Sequence, residues 1–377
     1  MRAVSQAAII GGGIGGLTAG IALAQRGIDA QIFEQAGQIT EVGAGLQISP
    51  NGMAVLEALG LGPDMARIGV PIAGVEMRDM ASGRLLTRLD IRRANFGRPW
   101  YGVHRADLIN VLAAAVQRAG LQISLGQTKL ASDLDAPLVV AADGVKSATR
   151  SLITGDGSPE FTQQTAWRAL TPGPGFVPPG GAWVQLYLGE GQHLVAYPLR
   201  GGSVMNIVAV QEREAWVEES WHSPDDPVTV QEAFSGACFE LHRLLADLTD
   251  VHRWGLFKRP VAQSWVKGNI ALLGDAAHPT LPFLAQGAVM AIEDAWVLAA
   301  SLAEQSSLGA ALTRYQELRR PRCERIVAGA DRNARIYHLR GGLARGALHL
   351  GLRLGDGLAP GAALRQFDWL YRHDVTG

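Results

Sequence analysis

Cysteine is nearly absent from this 377-residue chain: Cys238 and Cys323 stand far apart, with neither CxxC spacing nor histidines placed to join them. That scarcity argues against a disulfide framework or a zinc site and fits a reducing cytoplasm. An excess of either charge is missing too. Thirty-four Lys and Arg against 35 Asp and Glu leave a net charge of -1, so no surface-wide field draws in nucleic acid or an anionic membrane. No uncharged apolar run reaches the ~20 residues of a membrane span; the apolar stretch near Met290–Ala303 is broken by Glu293 and Asp294. Met1–Gln6 is all that precedes the first motif, too little for a removable signal peptide. These absences point to a soluble, cytoplasmic chain with no metal, nucleic-acid or membrane partner.

What is present is a globular composition, 47% hydrophobic and 18% charged, long enough for one large domain or two ordinary ones. The chain opens as strand, helix, strand: Ala7–Ile10, then Ile14–Gln25 stopped by Gly27, then Gln31-Ile32-Phe33-Glu34. That order implies a parallel sheet with a right-handed crossover. Leu108–Ala119 reads as a further helix and Leu138–Ala142 as a further buried strand. A Pro/Gly-rich connection, Thr171–Gly181, then leads into three strand-like runs between Ala182 and Val210, parted by turns at Gly189–Gly191 and Gly201-Gly202. This predicts an antiparallel meander inserted into the first sheet. The α/β pattern resumes with strand Ile270–Leu273 and helix Gly287–Leu302, and the Arg- and Leu-rich end predicts helices that carry no identifiable chemistry.

Ile9-Ile10-Gly11-Gly12-Gly13-Ile14-Gly15-Gly16 fits GxGxxG between a strand and a helix. Gly11 permits the tight turn, Gly13 lets backbone approach a pyrophosphate, and Gly16 allows helix and strand to pack closely. The helix N-terminus offers free N–H groups and a positive dipole end. Glu34, 18 residues after Gly16, ends the second strand where a carboxylate can accept from ribose hydroxyls. The motif alone does not choose between NAD and FAD.

Three later segments resemble the group A flavoprotein monooxygenases, in particular the salicylate hydroxylase and hydroxynicotinate hydroxylase branch. They are Ala141-Ala142-Asp143-Gly144-Val145-Lys146-Ser147, Gly274-Asp275-Ala276-Ala277-His278-Pro279 with Leu281-Pro282-Phe283-Leu284-Ala285-Gln286-Gly287-Ala288, and His104-Arg105-Ala106-Asp107-Leu108. The likeness runs through nearly the whole chain, to Phe367-Asp368-Trp369-Leu370-Tyr371. It implies a p-hydroxybenzoate hydroxylase-like fold: an α/β, Rossmann-like FAD-binding domain (residues 1–70, 99–165 and 261–310), an inserted antiparallel substrate sheet (71–98 and 166–260), and a C-terminal helical segment (311–377).

The resemblance also implies bound FAD, with Arg105, Asp143, Asp275, Gly287 and Ala288 at the cofactor and Pro282 against the ring. Asp275 independently follows an apolar strand, at the carboxyl end where open α/β sheets bind ligands. Helix Gly287–Leu302 would aim its N-terminus at the pyrimidine edge, which is anionic when the flavin is reduced. Gly43-Ala44-Gly45-Leu46-Gln47 should pass along the flavin edge, where Gly45 permits close approach. No second GxGxxG occurs, so NADH or NADPH should bind only transiently. His278 reads as a structural histidine.

Strand alternation puts His193, Val195, Tyr197 and Leu199 on one face of the inserted sheet, and Leu194, Ala196 and Pro198 on the other. His193 and Tyr197 match the spacing of a histidine and tyrosine in the substrate site of hydroxynicotinate-type members. Gln47 departs from them, standing where some carry histidine. Arg168 could pair with a substrate acid or equally with a structural carboxylate. The segment Leu121–Pro137 is shorter than usual for the family, which suggests a trimmed β-hairpin beside FAD.

The function this implies is NAD(P)H- and O2-dependent hydroxylation of a small phenolic or hydroxypyridine carboxylic acid through a flavin C4a-hydroperoxide, with His193 as base, by a monomer or homodimer. A ubiquinone-pathway hydroxylase or other flavin oxidase is one alternative, and a non-catalytic FAD-binding protein another.

Overall fold

The computed structural model describes residues 3–39, 45–156, 158–213, 223–358 and 362–377. Gly43 and Ala44 lie outside them. Two sheets organise the chain. The first has six strands in the order Val266–Lys267, Ile270–Leu272, Val139–Ala141, Gln6–Ile10, Asp29–Phe33 and Gln122–Ser124. All neighbours run parallel except the first pair, which is antiparallel.

Helix Ile14–Gln25 crosses between the first two strands as the sequence order predicts, and Gly27 ends it at φ 68°. The helix is buried along most of its length, and at Gly15 it packs directly on Leu273 and on Ala291 of helix Gly287–Glu304. Segment 121–137 supplies the edge strand Gln122–Ser124 and a short 3-10 turn at Ala131–Asp133.

The second sheet runs Thr249–Lys258, Glu160–Pro172, Val204–Glu212, Gln192–Leu199, Ala182–Leu188, Val70–Asp79, Tyr101–His104 and Gly45–Ile48, with Leu85–Asp90 paired beside Val70–Asp79. The expected meander is there: Ala182–Leu188, Gln192–Leu199 and Val204–Glu212 pair antiparallel in sequence order. One pairing departs from it, because Ala182–Leu188 and Val70–Asp79 run parallel. Strands Gly45–Ile48 and Tyr101–His104 belong to this sheet, so it extends from the substrate meander to Gly45.

Alternation holds along Gln192–Leu199. Tyr197 and Leu199 join the large core that includes the dinucleotide helix, whereas Leu194 and Ala196 join a separate core with Trp167, Phe234 and Leu241. A 30-residue helix, Leu308–Tyr337, and Gly342–Leu358 form most of the C-terminal region. Among the described residues, no helix is long and apolar enough to cross a membrane.

Candidate active site

The three fingerprint glycines meet three different surroundings. Gly11 has φ 104°, and a Cβ there would lie 2.3 Å from the Ala142 carbonyl oxygen. A Cβ on Gly16 would lie 1.9 Å from the Gly11 carbonyl oxygen, so helix and turn touch there. Around Gly13 nothing stands within 4 Å. Two glycines therefore close the turn, and the third leaves open backbone at the helix N-terminus, where a diphosphate fits. Glu34 holds the turn from the next strand, its carboxylate accepting from Gly12 N–H at 2.6 Å and from Ala36 N–H at 2.8 Å.

Asp143 follows the neighbouring strand, and Thr149 N–H donates to its Oδ2 at 3.3 Å. Its Oδ1 is buried with no hydrogen-bond partner among the described residues. Such an orphaned acceptor is rare in a folded interior and suits a donor arriving with a ligand. Open backbone at Gly13 and the free oxygen of Asp143 are both what a dinucleotide would use. Ser147 caps the helix Ala148–Thr154, and the fully buried Arg150 ties that helix to the Asp275 turn through the carbonyls of Ala277 (3.2 Å) and Pro260 (2.6 Å).

Asp275 is reached by solvent although protein surrounds it, and burial raises its carboxyl pKa against the pull of His278 and Arg105. Arg105 opens helix Arg105–Arg118 and senses both Asp275 and Arg168, so these three charges share one neighbourhood. Pro282 is exposed on the short turn Pro282–Leu284, ahead of Gly287 and Ala288 at the start of helix Gly287–Glu304.

That helix carries two acids of a buried network that local pattern hardly announces. Glu293 and Asp294 are 0% exposed and share Arg319, 1% exposed, at 2.7 Å each. Arg322 adds a contact to Glu293 at 2.8 Å, and His278 meets Asp294 at 2.5 Å. Asn51 Nδ2 donates to Glu293 at 2.7 Å and to Gln286 at 3.1 Å, carrying the network to the first residues of the helix.

Burial alone would raise both carboxyl pKa values, but the cations hold Glu293 and Asp294 at about 2. Burial would likewise lower the His278 pKa, and Cys323 with Asp294 drives it well above the ordinary value. His278, Asp294 and Cys323 cluster closely enough to resemble a metal site, but the ion pairs already satisfy the carboxylate. The one sequence signal was a pair of acids inside an apolar helix, which is costly unless cations are brought to it.

Register fixes the rows in which polar groups stand on the substrate-sheet face. His193 pairs with Val210 and Val210 with Ala166; Val195 pairs with Val208 and Val208 with Arg168; Tyr197 pairs with Asn206 and Asn206 with Leu170. Residues directly opposite point to one face, so His193, Tyr197 and Arg168 all look the same way. At ~3.3 Å per residue, His193 and Tyr197 stand about 13 Å apart along the strand.

Tyr197 is buried beside Gly45, where a Cβ would lie 2.7 Å from its hydroxyl. Gln47, half-buried and two residues on, shares the Gly45 side of its strand. Burial raises the Tyr197 pKa, leaving a neutral hydroxyl. Arg168 is only 3% exposed, and its Nε and Nη2 are buried without a hydrogen-bond partner among the described residues. Burial lowers its pKa, and Asp250 only partly offsets this.

The C-terminal helix and the residue after it pack against this face. His193 Nδ1 lies 2.7 Å from His338 Nε2, and the rings of Phe283 and Tyr337 stand 5.1 and 5.3 Å from the His193 ring. Asn333 Nδ2 donates to the Phe283 carbonyl at 3.1 Å, tying the long helix to the Pro282 turn. Burial and then His338 push the His193 pKa well below its ordinary value, so the imidazole is neutral near pH 7. Sequence periodicity had no means of pairing residues 145 positions apart.

A family model described as "FAD binding domain" matches residues 4–132 and 124–330. The chain is 33% identical to a 3-amino-4-hydroxybenzoate 2-monooxygenase of Streptomyces platensis, over 98% of this chain and 96% of that one. It is also 33% identical to 3-hydroxybenzoate 6-hydroxylase 1 of Aquipseudomonas alcaligenes, over 98% of both. Among solved structures, Klebsiella pneumoniae HpxO complexed with FAD and uric acid matches with a TM-score of 0.81 and 26% identity, over 94% of each chain.

Proposed function

The chain belongs to the FAD binding domain family of group A flavoprotein monooxygenases, and from that premise we propose that its substrate is a small aromatic carboxylic acid bearing a ring hydroxyl. The enzyme class is that of an FAD-dependent aromatic monooxygenase, with NADH or NADPH as reductant. When bound, FAD accepts a hydride from NAD(P)H and activates O2, so that one oxygen atom enters the ring and the other leaves as water.

The observation that carries the substrate class is Arg168. A guanidinium keeps its charge in proteins, so burying one without hydrogen-bond partners is expensive. A carboxylate entering the site would supply the missing acceptors in a bidentate geometry. His193 on the same face then serves the ring hydroxyl. Neutral His193 can take its proton, which makes the ring electron-rich, while the neutral Tyr197 hydroxyl, farther along the strand, can donate to another acceptor of the bound ligand.

The cofactor would be held by the open backbone at Gly13, by Asp143 and by the Arg105–Asp275 neighbourhood. Gly45 and Gln47 would line its edge, Pro282 would cover the ring, and the N-terminus at Gly287 and Ala288 would favour negative charge nearby. The relatives' names support the reading, since both describe acids with a benzoate ring and a hydroxyl.

The test is NADH and NADPH oxidation by the FAD-loaded protein against a panel of hydroxybenzoates, aminohydroxybenzoates and hydroxypyridine carboxylates, with H2O2 and product mass recorded. We expect one acid to stimulate oxidation strongly and to appear with one added oxygen, or as its decarboxylated counterpart. Stimulation only by phenols that lack a carboxylate would overturn the assignment of Arg168.

A further inference from the structure

Behind His193 a line of hydrogen-bonding groups runs outward from the sheet face. His193 Nδ1 is 2.7 Å from His338 Nε2, and His338 Nδ1 is 3.4 Å from Glu212 Oε1. Arg340 Nε donates to Glu212 Oε2 at 2.8 Å, with Nη2 2.7 Å from the same carboxylate. The histidines are 2% and 3% exposed, whereas the Glu212 and Arg340 side chains are 29% and 67% exposed. The line therefore starts inside the protein and ends in water. We infer that Glu212, anchored by Arg340, acts through His338 to fix the tautomer of His193 and to receive its proton. The inference rests on the reading of His193 as the base.

The argument is one of donors and acceptors. Glu212 as a carboxylate can only accept, so its contact puts a hydrogen on His338 Nδ1. The neutral His338 ring then has a lone pair on Nε2 and must accept from His193 Nδ1–H. That leaves His193 Nε2 with the lone pair a base requires. Gln164 also faces His338 Nδ1, with its amide nitrogen 3.1 Å away and its Oε1 buried without a partner among the described residues. Turning that amide over presents Oε1 to the same N–H and satisfies both groups, in agreement with the tautomer Glu212 imposes.

Other neighbours of the pair are the uncharged rings of Phe283 and Tyr337, the latter with its pKa pushed up to about 12 by burial. The charged groups in reach are Glu212, which favours a protonated imidazole, and Arg340, which opposes it.

In the transfer, the aryl O–H bond breaks and its electron pair stays on oxygen while a new N–H bond forms at His193 Nε2. The His193 Nδ1 hydrogen moves to His338 Nε2, and the His338 Nδ1 hydrogen moves to the Glu212 carboxylate, from which water removes it. No electron changes hands.

His338→Phe keeps a ring in the aromatic cluster, and Glu212→Gln removes the charge at a half-exposed position. Both are measured with His193→Gln as the pH profile of kcat/KM for the accepted acid and as product formed per NAD(P)H consumed. Removing the orienting chain is expected to cost roughly 10- to 100-fold, less than the ~100- to 10,000-fold of a general base itself. Glu212→Gln should also move the acid limb to lower pH, because the carboxylate no longer stabilises the imidazolium.

Profiles of His338→Phe and Glu212→Gln that superimpose on the parent while His193→Gln alters its own would overturn this inference and leave the base intact. An unaltered profile in His193→Gln would instead remove the reading beneath it. Should His338→Phe fail to fold, Glu212→Gln alone decides between these outcomes.

Discussion

Gly45 and Asn206, 161 residues apart, are joined directly: the Gly45 N–H donates to Asn206 Oδ1 at 2.7 Å. The bond pins the strand Gly45–Ile48 onto the middle of the substrate sheet. The Tyr197 hydroxyl closes over the same spot, so the contact leaves room for hydrogen only.

Gly45→Ala tests that closeness. Its Cβ would fall 2.7 Å from both Tyr197 Oη and Asn206 Cγ, two side chains fixed in a buried sheet. Overpacking of this kind costs about 1–3 kcal/mol, and a lowered thermal midpoint is expected together with weaker substrate binding. A variant that melts with the parent and keeps its KM would mean that the two strands separate easily.

Gly13→Ala and Gly16→Ala separate cofactor binding from folding. Gly16→Ala drives a methyl into the Gly11 carbonyl, so the apoprotein itself should be destabilised. Gly13→Ala meets nothing in the protein, so the apoprotein should melt normally while FAD affinity falls at the crowded diphosphate. Flavin titration beside apoprotein melting distinguishes the two, and equal loss of apoprotein stability in both would refute the division.

Arg168→Met removes the buried guanidinium and keeps much of its apolar volume. Losing one partner of a buried charged pair typically costs ~2 kcal/mol or more, so KM for the aromatic acid should rise by roughly 30-fold or more at ~1.4 kcal/mol per decade. Stability should hold or improve, since the unpaired charge goes with it. Unchanged KM with a large fall in thermal midpoint would show that Arg168 serves folding.

Stability should fall in acid for a stated reason. Glu293 and Asp294 have folded pKa values near 2, below those of unfolded carboxyls at about 4. Their contribution is fully present above pH ~4 and is lost as pH falls towards 2. His278 has the opposite sign: its raised pKa gives stability that is complete below about pH 6.5 and is lost as pH climbs through the folded value. Asp294→Asn should cost about 3–5 kcal/mol, because Arg319 and His278 lose their counter-charge. Chemical unfolding at pH 3, 5 and 7 should show the difference between parent and variant shrinking at the acid end; a constant difference would exclude the mechanism.

Much of this architecture could be read from local pattern. A strand, a glycine turn, a helix and a terminal acid announced the dinucleotide motif, and period-two alternation put His193 and Tyr197 on one face. Both are short-range signals, set by backbone conformation within a few residues. The His193–His338 contact, the Arg319 bridge and the unpartnered state of Arg168 depend instead on which distant segments pack together. Arg319 sits in, and His338 directly follows, a helix whose composition speaks only of helix formation and surface charge. The parallel pairing of Ala182–Leu188 with Val70–Asp79 was hidden for the same reason, since no turn links the two strands.

The Arg319 bridge also sets an order of events during synthesis. A nascent chain that has emerged only to residue 305 already carries the glycine fingerprint, Asp143, Asp275 and the whole substrate sheet. It also carries Glu293 and Asp294 in an apolar helix before Arg319 and Arg322 exist to neutralise them. Until the ribosome delivers the helix Leu308–Tyr337, docking Gly287–Glu304 on the dinucleotide helix would bury both carboxylates without Arg319 and Arg322. FAD retention is therefore expected only once that helix is in place, and carboxyl-terminal truncations that spare every cofactor-facing residue should still yield colourless protein.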